Sequence, residues 1–589
     1  MGLFKKGCIA SLVIVLLSSC GQTTKMAMSS NDRALLNKTI RNSLYANDSE
    51  MWISDGNMQL QSPVPKNLQR AIAAYKDQYQ SKGLHDYEYL QKMAFRILEN
   101  PLFEEDVEGQ ILALFGVDLA KHPKLFPVIE RALDSPFNIV QLTAIQTLAK
   151  LPEDKANTLL VKGCGSPFLD VAFTTAFILA QRKHPQAFGL IEALMNKAPK
   201  ECLCLFPSLL AHIDNPIATT KLIKCITSAE SEMRLGAILA AASMQRTELL
   251  PHIRSLSKQH SILQQEACAF ALGELHDEAS TQTLFEISKS PSDTASLAAL
   301  NALYKIGHQE AISKIESYAQ KGNLFAIQLL GRCQGDTHLL EVLSHKDQMD
   351  NVTLNASIAL LKKKNASALP HILALLIPEN PNILIAEYPS PAMTLSAKKF
   401  VLKSSSPFGE NPNLEQMSFT IRSQILSECA ELPEEVFLRI ASEIIDANQN
   451  DLIPSVINHL MTLKTSKALD LLKLWQQKIG SPYVRIWSNL ALLKLGEPGP
   501  YKENVLNWIT KEKYHRLVRI KGVTPWNKKK IPSQYEINPF ETSQLMMEAY
   551  ISIAEKQDED GIQVLLNNLE NNDLKNKYAI AGLLILATQ

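Results

Sequence analysis

Apolar residues recur every 31 positions through the middle of this chain, and no other feature of the sequence restricts the fold as strongly. One column of this period consists of Ile129, Leu160, Ile191, Leu222, Ile253, Leu284 and Ile315. A second column consists of Val117, Leu148, Leu179, Leu210, Ala241, Leu272 and Leu303. A fixed period of this length is typical of stacked repeats, in which each unit buries its apolar faces against its neighbours.

Residues 262–284, ILQQEACAFALGELHDEASTQTL, contain one complete unit. An alanine-rich apolar helix is followed by a short polar turn at 276–278 and by a second helix that carries Leu284. Small side chains such as Ala267 and Ala271 let neighbouring helices approach closely, and aliphatic side chains fill the remaining space. The sequence therefore predicts an all-α fold, a curved α-solenoid of about thirteen to fifteen helix pairs with an extended concave face.

The order of an alanine-leucine helix, a Gly-x-Leu ending, a polar turn and a second amphipathic helix resembles the HEAT-like repeats of the phycobilisome-lyase type. The best match is ALGELHD at residues 271–277. The resemblance covers residues 110–375 well and residues 415–510 more loosely. It implies a helical-repeat fold, but it implies little about function because most proteins with such repeats are scaffolds or binding surfaces and only some are enzymes.

The first twenty residues resemble a bacterial lipoprotein signal. Lys5 and Lys6 precede an apolar run at 8–17 that is too short for a permanent membrane span, and Leu-Ser-Ser-Cys follows, ending at Cys20. This resemblance implies a diacylglycerol on the Cys20 thiol, cleavage before Cys20 and acylation of the new amine, for example with palmitate. Gly21 implies sorting to the outer membrane rather than the inner one. The alternative is an ordinary signal peptide, or an anchor, that happens to contain a cysteine.

Spacing and composition divide the chain into eight segments. We predict a signal peptide at 1–19, a polar tether at 20–62, an N-terminal helical cap at 63–109, a repeat array at 110–377, a proline-rich insertion at 378–414, a second repeat block at 415–510, a basic-aromatic insertion at 511–540 and C-terminal repeats at 541–589. Within the proline-rich insertion, 382–387 and 399–402 favour short strands in a loop or hairpin. The chain ends with AIAGLLILATQ, which is unusually apolar for a terminal repeat, so we expect this end to fold back or to be covered.

The sequence contains none of the common catalytic signatures, such as Gly-x-Ser-x-Gly, His-Glu-x-x-His or a phosphate-binding loop. The histidines at 184, 252 and 371 are isolated, and the carboxylate pairs Glu104-Glu105 and Glu434-Glu435 lie at expected helix starts, where the helix dipole favours them. We therefore predict that the protein is not an enzyme and has no catalytic site, metal or cofactor.

Seven cysteines remain besides Cys8 and Cys20, at positions 164, 202, 204, 225, 268, 333 and 429. Their odd number and helical positions favour buried small side chains over a disulfide framework. A bridge from Cys202 or Cys204 to Cys164 or Cys225 is the alternative.

The basic-aromatic insertion is the candidate contact for a partner or for lipid. It contains Arg516, Arg519, Lys521, Trp526, Lys528, Lys529 and Lys530, and three prolines exclude a further regular repeat. Alternation at 515–521 favours a short strand. Such a segment suits anionic headgroups or an acidic partner, whereas the alternative is a solvated loop whose aromatic side chains pack on the flanking helices.

These observations predict a lipid-anchored, non-catalytic solenoid that binds an unidentified protein partner at the bacterial envelope. Because Lys+Arg and Asp+Glu balance at 60 each, we expect no nucleic acid as a partner. One alternative is an enzyme with a weakly marked site, by analogy with phycobilisome lyases. The other is a purely structural envelope protein.

Overall fold

A computed structural model describes the chain at residues 66–82, 85–103, 106–259, 261–333, 337–345, 350–377, 384–387, 401–404, 414–478, 480–511, 517–518, 539–571 and 575–589. This part of the chain contains 29 α-helices. They are α1 Lys66–Lys82, α2 Tyr87–Glu99, α3 Val107–Ala120, α4 Phe126–Leu133, α5 Asn138–Lys150, α6 Glu153–Gly163, α7 Leu169–Gln181, α8 Ala187–Lys197, α9 Phe206–Ala211, α10 Pro216–Ile226, α11 Ser231–Ser243, α12 Leu250–Ser257, α13 Ile262–Glu274, α14 Thr281–Ile287, α15 Asp293–Ile306, α16 Ala311–Gln320, α17 Leu324–Leu330, α18 His338–Ser344, α19 Asn351–Lys362, α20 Leu369–Leu376, α21 Leu414–Cys429, α22 Glu434–Asp446, α23 Ile453–Leu463, α24 Ser466–Trp475, α25 Pro482–Leu495, α26 Tyr501–Lys511, α27 Pro539–Ala554, α28 Glu559–Asn571 and α29 Asn576–Ala587.

Both predicted apolar columns lie in the core. In the column of Leu284 every side chain is fully buried, and in the column of Leu272 no side chain exceeds 1% exposure. The second of these columns lies on the first helices of the repeats, and several of these helices pack on the next one, as α13 does on α15. The prediction of an all-α fold of HEAT-like two-helix repeats is confirmed.

The polar turn has the same backbone conformation after several of the first helices. In the repeat that contains α13, His276 is left-handed with a φ of 51°, the amide of His276 donates to the carbonyl of Gly273, and the amide of Asp277 donates to the carbonyl of Leu272. This pair of hydrogen bonds is a Schellman motif. Left-handed residues recur at the same point of the period, at Lys183, Gln245, His276 and Gly307. The column of Leu272 therefore also supplies the carbonyl that ends the helix.

Glycine lets the first helices of neighbouring repeats cross at very short distance. A Cβ atom on Gly273 would lie 2.6 Å from the Cα atom of Ala302, and one on Gly331 would lie 2.8 Å from the Cα atom of Ala359. Both neighbouring atoms belong to backbone, so a side-chain movement cannot make room. Gly273 belongs to the Gly-x-Leu ending of the repeat pattern, whereas Gly331 is followed by Arg332 and Cys333.

The described residues fall into two compact units. One unit takes its residues from Met1–Leu209, Tyr514–Lys530 and Ile553–Gln589, and the other takes its residues from Leu210–Lys513 and Ile531–Ser552. In the first unit, the C-terminal helix α29 packs against α2 and α3, close to the start of the described chain. The expectation that the apolar C-terminal end folds back on other residues is therefore confirmed.

Polar contacts join the two ends of the chain within this unit. Lys575 pairs with Asp106 at the start of α3, and Lys76 of α1 pairs with Glu570 of α28. The side chain of Gln91 donates to the carbonyl oxygen of Thr588 at 2.7 Å. These contacts surround the apolar face of α29, whose residues from Tyr578 to Ile585 are almost completely buried.

The proline-rich insertion contains a two-stranded antiparallel hairpin, as predicted. Its strands are β1 Leu384–Glu387 and β2 Val401–Ser404, with Leu384 opposite Ser404 and Glu387 opposite Val401. Strand β1 lies close to α21, and β2 lies close to α17 and α19. The hairpin thus packs on the helices that flank the insertion.

The crossing of α3 and α29 is the contact most sensitive to a single methyl group. A Cβ atom on Gly582 would overlap the carbonyl oxygen of Gly116, and one on Gly116 would overlap the carbonyl oxygen of Tyr578. We expect Gly582→Ala to lower the free energy of unfolding by about 1–3 kcal/mol or more, because both overlapping atoms belong to helix backbone.

Gly189→Ala is the matched control for this experiment. Gly189 lies in the exposed part of α8 with no atom within 4 Å of its Cβ position, so the control should be neutral or stabilising by about 0.5–1 kcal/mol. Denaturant titration followed by circular dichroism measures both changes. Equal midpoints for Gly582→Ala and the parent would contradict the helix crossing described above.

Candidate interaction surfaces

The sequence-predicted contact residues lie outside the described part of the chain. This holds for Cys20 and for Arg516, Arg519, Lys521, Trp526, Lys528, Lys529 and Lys530. Of the segment between α26 and α27, only Leu517 and Val518 are described, and neither is in a strand. The other residues of the predicted strand at 515–521 lie outside the described part of the chain. Leu517 is 4% exposed, and its amide donates to the side-chain oxygen of Asn576 at 2.8 Å. This point of the basic-aromatic insertion is therefore fixed to the start of α29.

A shallow groove separates two successive second helices, α22 and α24. Its volume is about 470 Å³ and it is widely open to solvent. Leu438, Leu471 and Leu474 supply its apolar surface, and Arg439 and Asp470 lie on its rim. Leu474 is 66% exposed, which is high for a leucine on a helix of a stacked array. The groove is a candidate protein-binding surface because exposed apolar area rimmed by polar side chains marks such sites.

The carboxylate pair beside this groove holds adjacent repeats together. Glu434 and Glu435 occupy the first turn of α22, as predicted. Glu434 accepts a hydrogen bond from the hydroxyl of Thr465, and Glu435 pairs with Lys467 at 2.7 Å. The hydrogen bond from Lys467 holds the pKa of Glu435 below its usual value. Both carboxylates are thus bonded to side chains of the next repeat.

A group of stacked aromatic rings lies where α1 meets α2, and we name it the tyrosine cluster. It consists of Tyr75, Tyr79, His85, Tyr87 and Tyr89. The rings of Tyr79 and His85 lie 4.1 Å apart at an angle of 11°, and those of Tyr75 and Tyr89 lie 5.5 Å apart at 5°. Tyr75 is buried, whereas Tyr87 and Tyr89 are 48% and 39% exposed. The cluster therefore combines the exposed rings of Tyr87 and Tyr89 with the buried ring of Tyr75.

Hydrogen bonds hold the tyrosine cluster in place. The hydroxyl of Tyr75 accepts from the amide of Asp86 at 3.0 Å and lies 2.9 Å from Nδ1 of His85. The carboxylate of Asp86 caps α2 by accepting from the amide of Tyr89 at 3.0 Å. Burial raises the pKa of Tyr75 to about 12 and lowers the pKa of His85, so both rings are uncharged at neutral pH.

Sequence reasoning missed the tyrosine cluster because it treated residues 63–109 only as an N-terminal helical cap. The signal was nevertheless present, since four tyrosines and a histidine fall within residues 75–89 of a chain with only 6% aromatic residues. The sequence pattern does not show that the rings from α1, from the connecting turn and from α2 stack on one another.

The seven described cysteines are all unbridged. Cys225, Cys268, Cys333 and Cys429 are buried, whereas Cys164, Cys202 and Cys204 are partly exposed. Burial raises the pKa of Cys268 and of Cys429 to about 12 and that of Cys333 to about 11. The prediction of small buried side chains is confirmed for these positions. Their thiols are poor nucleophiles because the reactive thiolate is disfavoured.

Within the described ranges, no helix combines the length and the apolar character that a membrane span needs. Among the same residues, no three histidine, cysteine or carboxylate side chains lie together in a way that would hold a metal ion.

No family model matches the chain, and no curated protein sequence matches it. The structure is similar to several solved helical-repeat proteins at low identity. One is the CpcE–CpcF complex of phycocyanin lyase from Nostoc sp. PCC7120, at 17% identity and a TM-score of 0.27 over 38% of this chain and 95% of that one. Another is UNC-45 from Drosophila melanogaster, at 14% identity and a TM-score of 0.29 over 85% of this chain and 74% of that one.

A structure of Kap95p with RanGDP is similar at 14% identity and a TM-score of 0.24, over 92% of this chain and 63% of that one. At such low TM-scores these similarities carry no argument about function. The helical-repeat fold rests on the repeats themselves, on their buried columns and on their shared turn.

The raised thiol pKa values predict slow alkylation in the native state. At pH 8, iodoacetamide should modify Cys268 and Cys429 at least about a hundredfold more slowly than a free thiol with a pKa of about 8.5. Pulse labelling followed by peptide mass spectrometry measures each site. The partly exposed Cys202 and Cys204 are internal controls that should react faster, and unfolding in denaturant should equalise all rates. Rapid native labelling of Cys268 would contradict the burial.

Proposed function

We propose that this chain is a lipid-anchored, non-catalytic scaffold that binds a protein partner at the bacterial envelope, in the outer membrane rather than the inner one. The observation that carries the binding role is the stack of HEAT-like repeats, whose second helices present outward surface with exposed apolar side chains such as Leu474. Stacked helical repeats bury their apolar residues within the array and leave extended surfaces for binding.

The contacts of the carboxylate pair and the burial of the thiols support the non-catalytic part of this proposal. Glu434 and Glu435 bond to the following repeat, and the pKa values of the buried thiols are raised. Neither arrangement resembles an activated nucleophile or a general base poised near neutral pH.

The anchor is supported by the lipobox-like ending at Cys20 after a short apolar run. Two or three acyl chains, each contributing about 0.8 kcal/mol per buried methylene, would hold such a protein in a membrane essentially permanently. An anchor of this kind would confine the scaffold to the membrane surface, so that its partner is either a membrane protein or a soluble protein held there.

Lipidation can be tested on the protein from its native host. We expect the mature chain to begin at Cys20 with a diacylglycerol on the thiol, and Cys20→Ala to release the chain from the membrane fraction. Intact mass spectrometry and detergent partitioning measure the two effects. Cys8→Ala is the matched control, because Cys8 lies within the apolar run and its loss should leave the anchor in place. An unmodified Cys20 thiol, or cleavage elsewhere, would refute the anchor.

Partner binding can be tested by crosslinking and affinity capture with the Cys20→Ala chain, since an acyl anchor would mask differences between variants. We expect the parent to capture one reproducible partner. Replacing Lys528, Lys529 and Lys530 with Ser should weaken binding to this partner or to anionic vesicles several-fold at low salt, and less at high salt, because screening removes the charge contribution.

The control for this variant is the replacement of three exposed lysines on described helices or at their ends, Lys155, Lys258 and Lys289, by Ser. It changes the net charge equally and should bind like the parent. Equal binding by the parent and the Lys528–Lys530 variant at low salt would show that the basic-aromatic insertion is an ordinary loop and not a contact site. Turnover of a defined substrate would overturn the scaffold proposal itself.

A further inference from the structure

The tyrosine cluster is the exposed feature of the described chain that its packing does not explain. Tyr87 and Tyr89 stand on the first turn of α2 with large exposed fractions, although tyrosine rings gain from burial. Tyr89 stacks on Tyr75, which is 3% exposed, Tyr87 stacks on His85, and Asp86 caps the helix that carries both. Rigid tyrosines are effective in binding surfaces because they supply contact area at low cost in conformational entropy.

Carboxylates and lysines both lie close to the tyrosine cluster, since Lys92 and Lys124 act on the pKa of Glu88. Asp86 and Glu88 alternate along the chain with Tyr87 and Tyr89, and Glu88 pairs with Lys92 at 2.6 Å through side chains that are both more than half exposed. Glu559, at the start of α28 in the same unit, lies near enough to His85 to act on the pKa of that ring. Glu559 itself stands between Asp558 and Asp560 in the sequence. The exposed aromatic faces are therefore flanked by carboxylates contributed by two separated parts of the chain.

Planar aromatic faces beside carboxylates fit one kind of side chain especially well. A guanidinium group stacks on a tyrosine face by cation–π attraction and forms paired hydrogen bonds with a carboxylate in the plane of its fork. An ammonium group also binds a tyrosine face by cation–π attraction, but it lacks the planar fork that forms paired hydrogen bonds with a carboxylate. The Glu88–Lys92 pair is solvent-exposed and therefore weak, so an arriving arginine can replace the lysine.

We propose that the tyrosine cluster docks an arginine-bearing basic segment of a protein partner, with Tyr87 and Tyr89 stacking on guanidinium groups and Glu88 and Glu559 pairing with them. This inference rests on the proposed function as a protein-binding scaffold and specifies the chemistry of one partner surface. The carboxylates favour such a partner over anionic lipid or nucleic acid, whose phosphates they repel.

The test uses the full-length chain and a fluorescent peptide of four Arg-Gly repeats, compared with a peptide of four Lys-Gly repeats, at low ionic strength. We expect the arginine peptide to bind several-fold more tightly than the lysine peptide. The double substitution Tyr87→Ala with Tyr89→Ala should weaken binding of the arginine peptide about tenfold, since two stacking contacts are lost. Glu88→Gln and Glu559→Gln should each weaken it several-fold, and fluorescence anisotropy measures all of these affinities.

Ile217→Ala is the matched control, because it removes an exposed apolar side chain from the other unit and should leave peptide affinity unchanged. Circular dichroism verifies that each variant is folded. If the double tyrosine variant is unfolded, the two single glutamate substitutions decide the question, because they change only exposed charge. Equal peptide affinity in the parent and in the folded variants overturns the inference, and so does a lack of preference for arginine over lysine.

Binding of vesicles containing phosphatidylglycerol that depends on Tyr87 and Tyr89, without peptide binding, also overturns the inference, because it assigns the surface to the membrane. The experiments distinguish a failure of the arginine-binding site from a failure of the proposed scaffold function. Capture of a partner by a chain that does not bind the arginine peptide refutes only this site. Tyrosine-dependent binding of the arginine peptide by a chain that captures no partner supports the site and counts against the scaffold role.

Discussion

The close crossing of first helices in neighbouring repeats is the contact on which the rest of the structure depends. Gly273 against Ala302 and Gly331 against Ala359 leave no room for another methyl group, so these first helices contact the next ones almost backbone to backbone. The Schellman turn after the helix then sets the direction in which the second helix departs. Because this arrangement repeats, the apolar columns of all units are buried by the same geometry.

The same kind of contact joins the two ends of the chain in one unit. The C-terminal helix α29 packs on α3 through Gly582 and Gly116, as one first helix packs on the next inside the array. An exposed terminal repeat would need a polar outer face. Here the apolar face of α29 is covered by α2 and α3, and the ion pairs of Lys575 with Asp106 and of Lys76 with Glu570 lie at this contact.

With the apolar faces buried in this way, the features that remain for function lie on the surface. The groove between α22 and α24 and the tyrosine cluster differ in chemistry, since the first is mainly aliphatic and the second is aromatic. Each belongs to a different unit. The charged groups beside the groove join adjacent repeats, since Glu434 bonds to Thr465 and Glu435 pairs with Lys467.

The sequence by itself determined the repeat, its two buried columns, the hairpin of the proline-rich insertion and the buried state of Cys268 and Cys429. The repeat and its columns follow from contacts between adjacent repeats, which leave a period in the sequence because successive repeats make them alike. The hairpin and the buried thiols follow from local residue preferences instead. Only the tertiary structure decided that Gly582 meets Gly116 and that Glu559 lies near His85. Such contacts join distant parts of the chain and occur once, so no periodicity records them, and only packing brings the residues together.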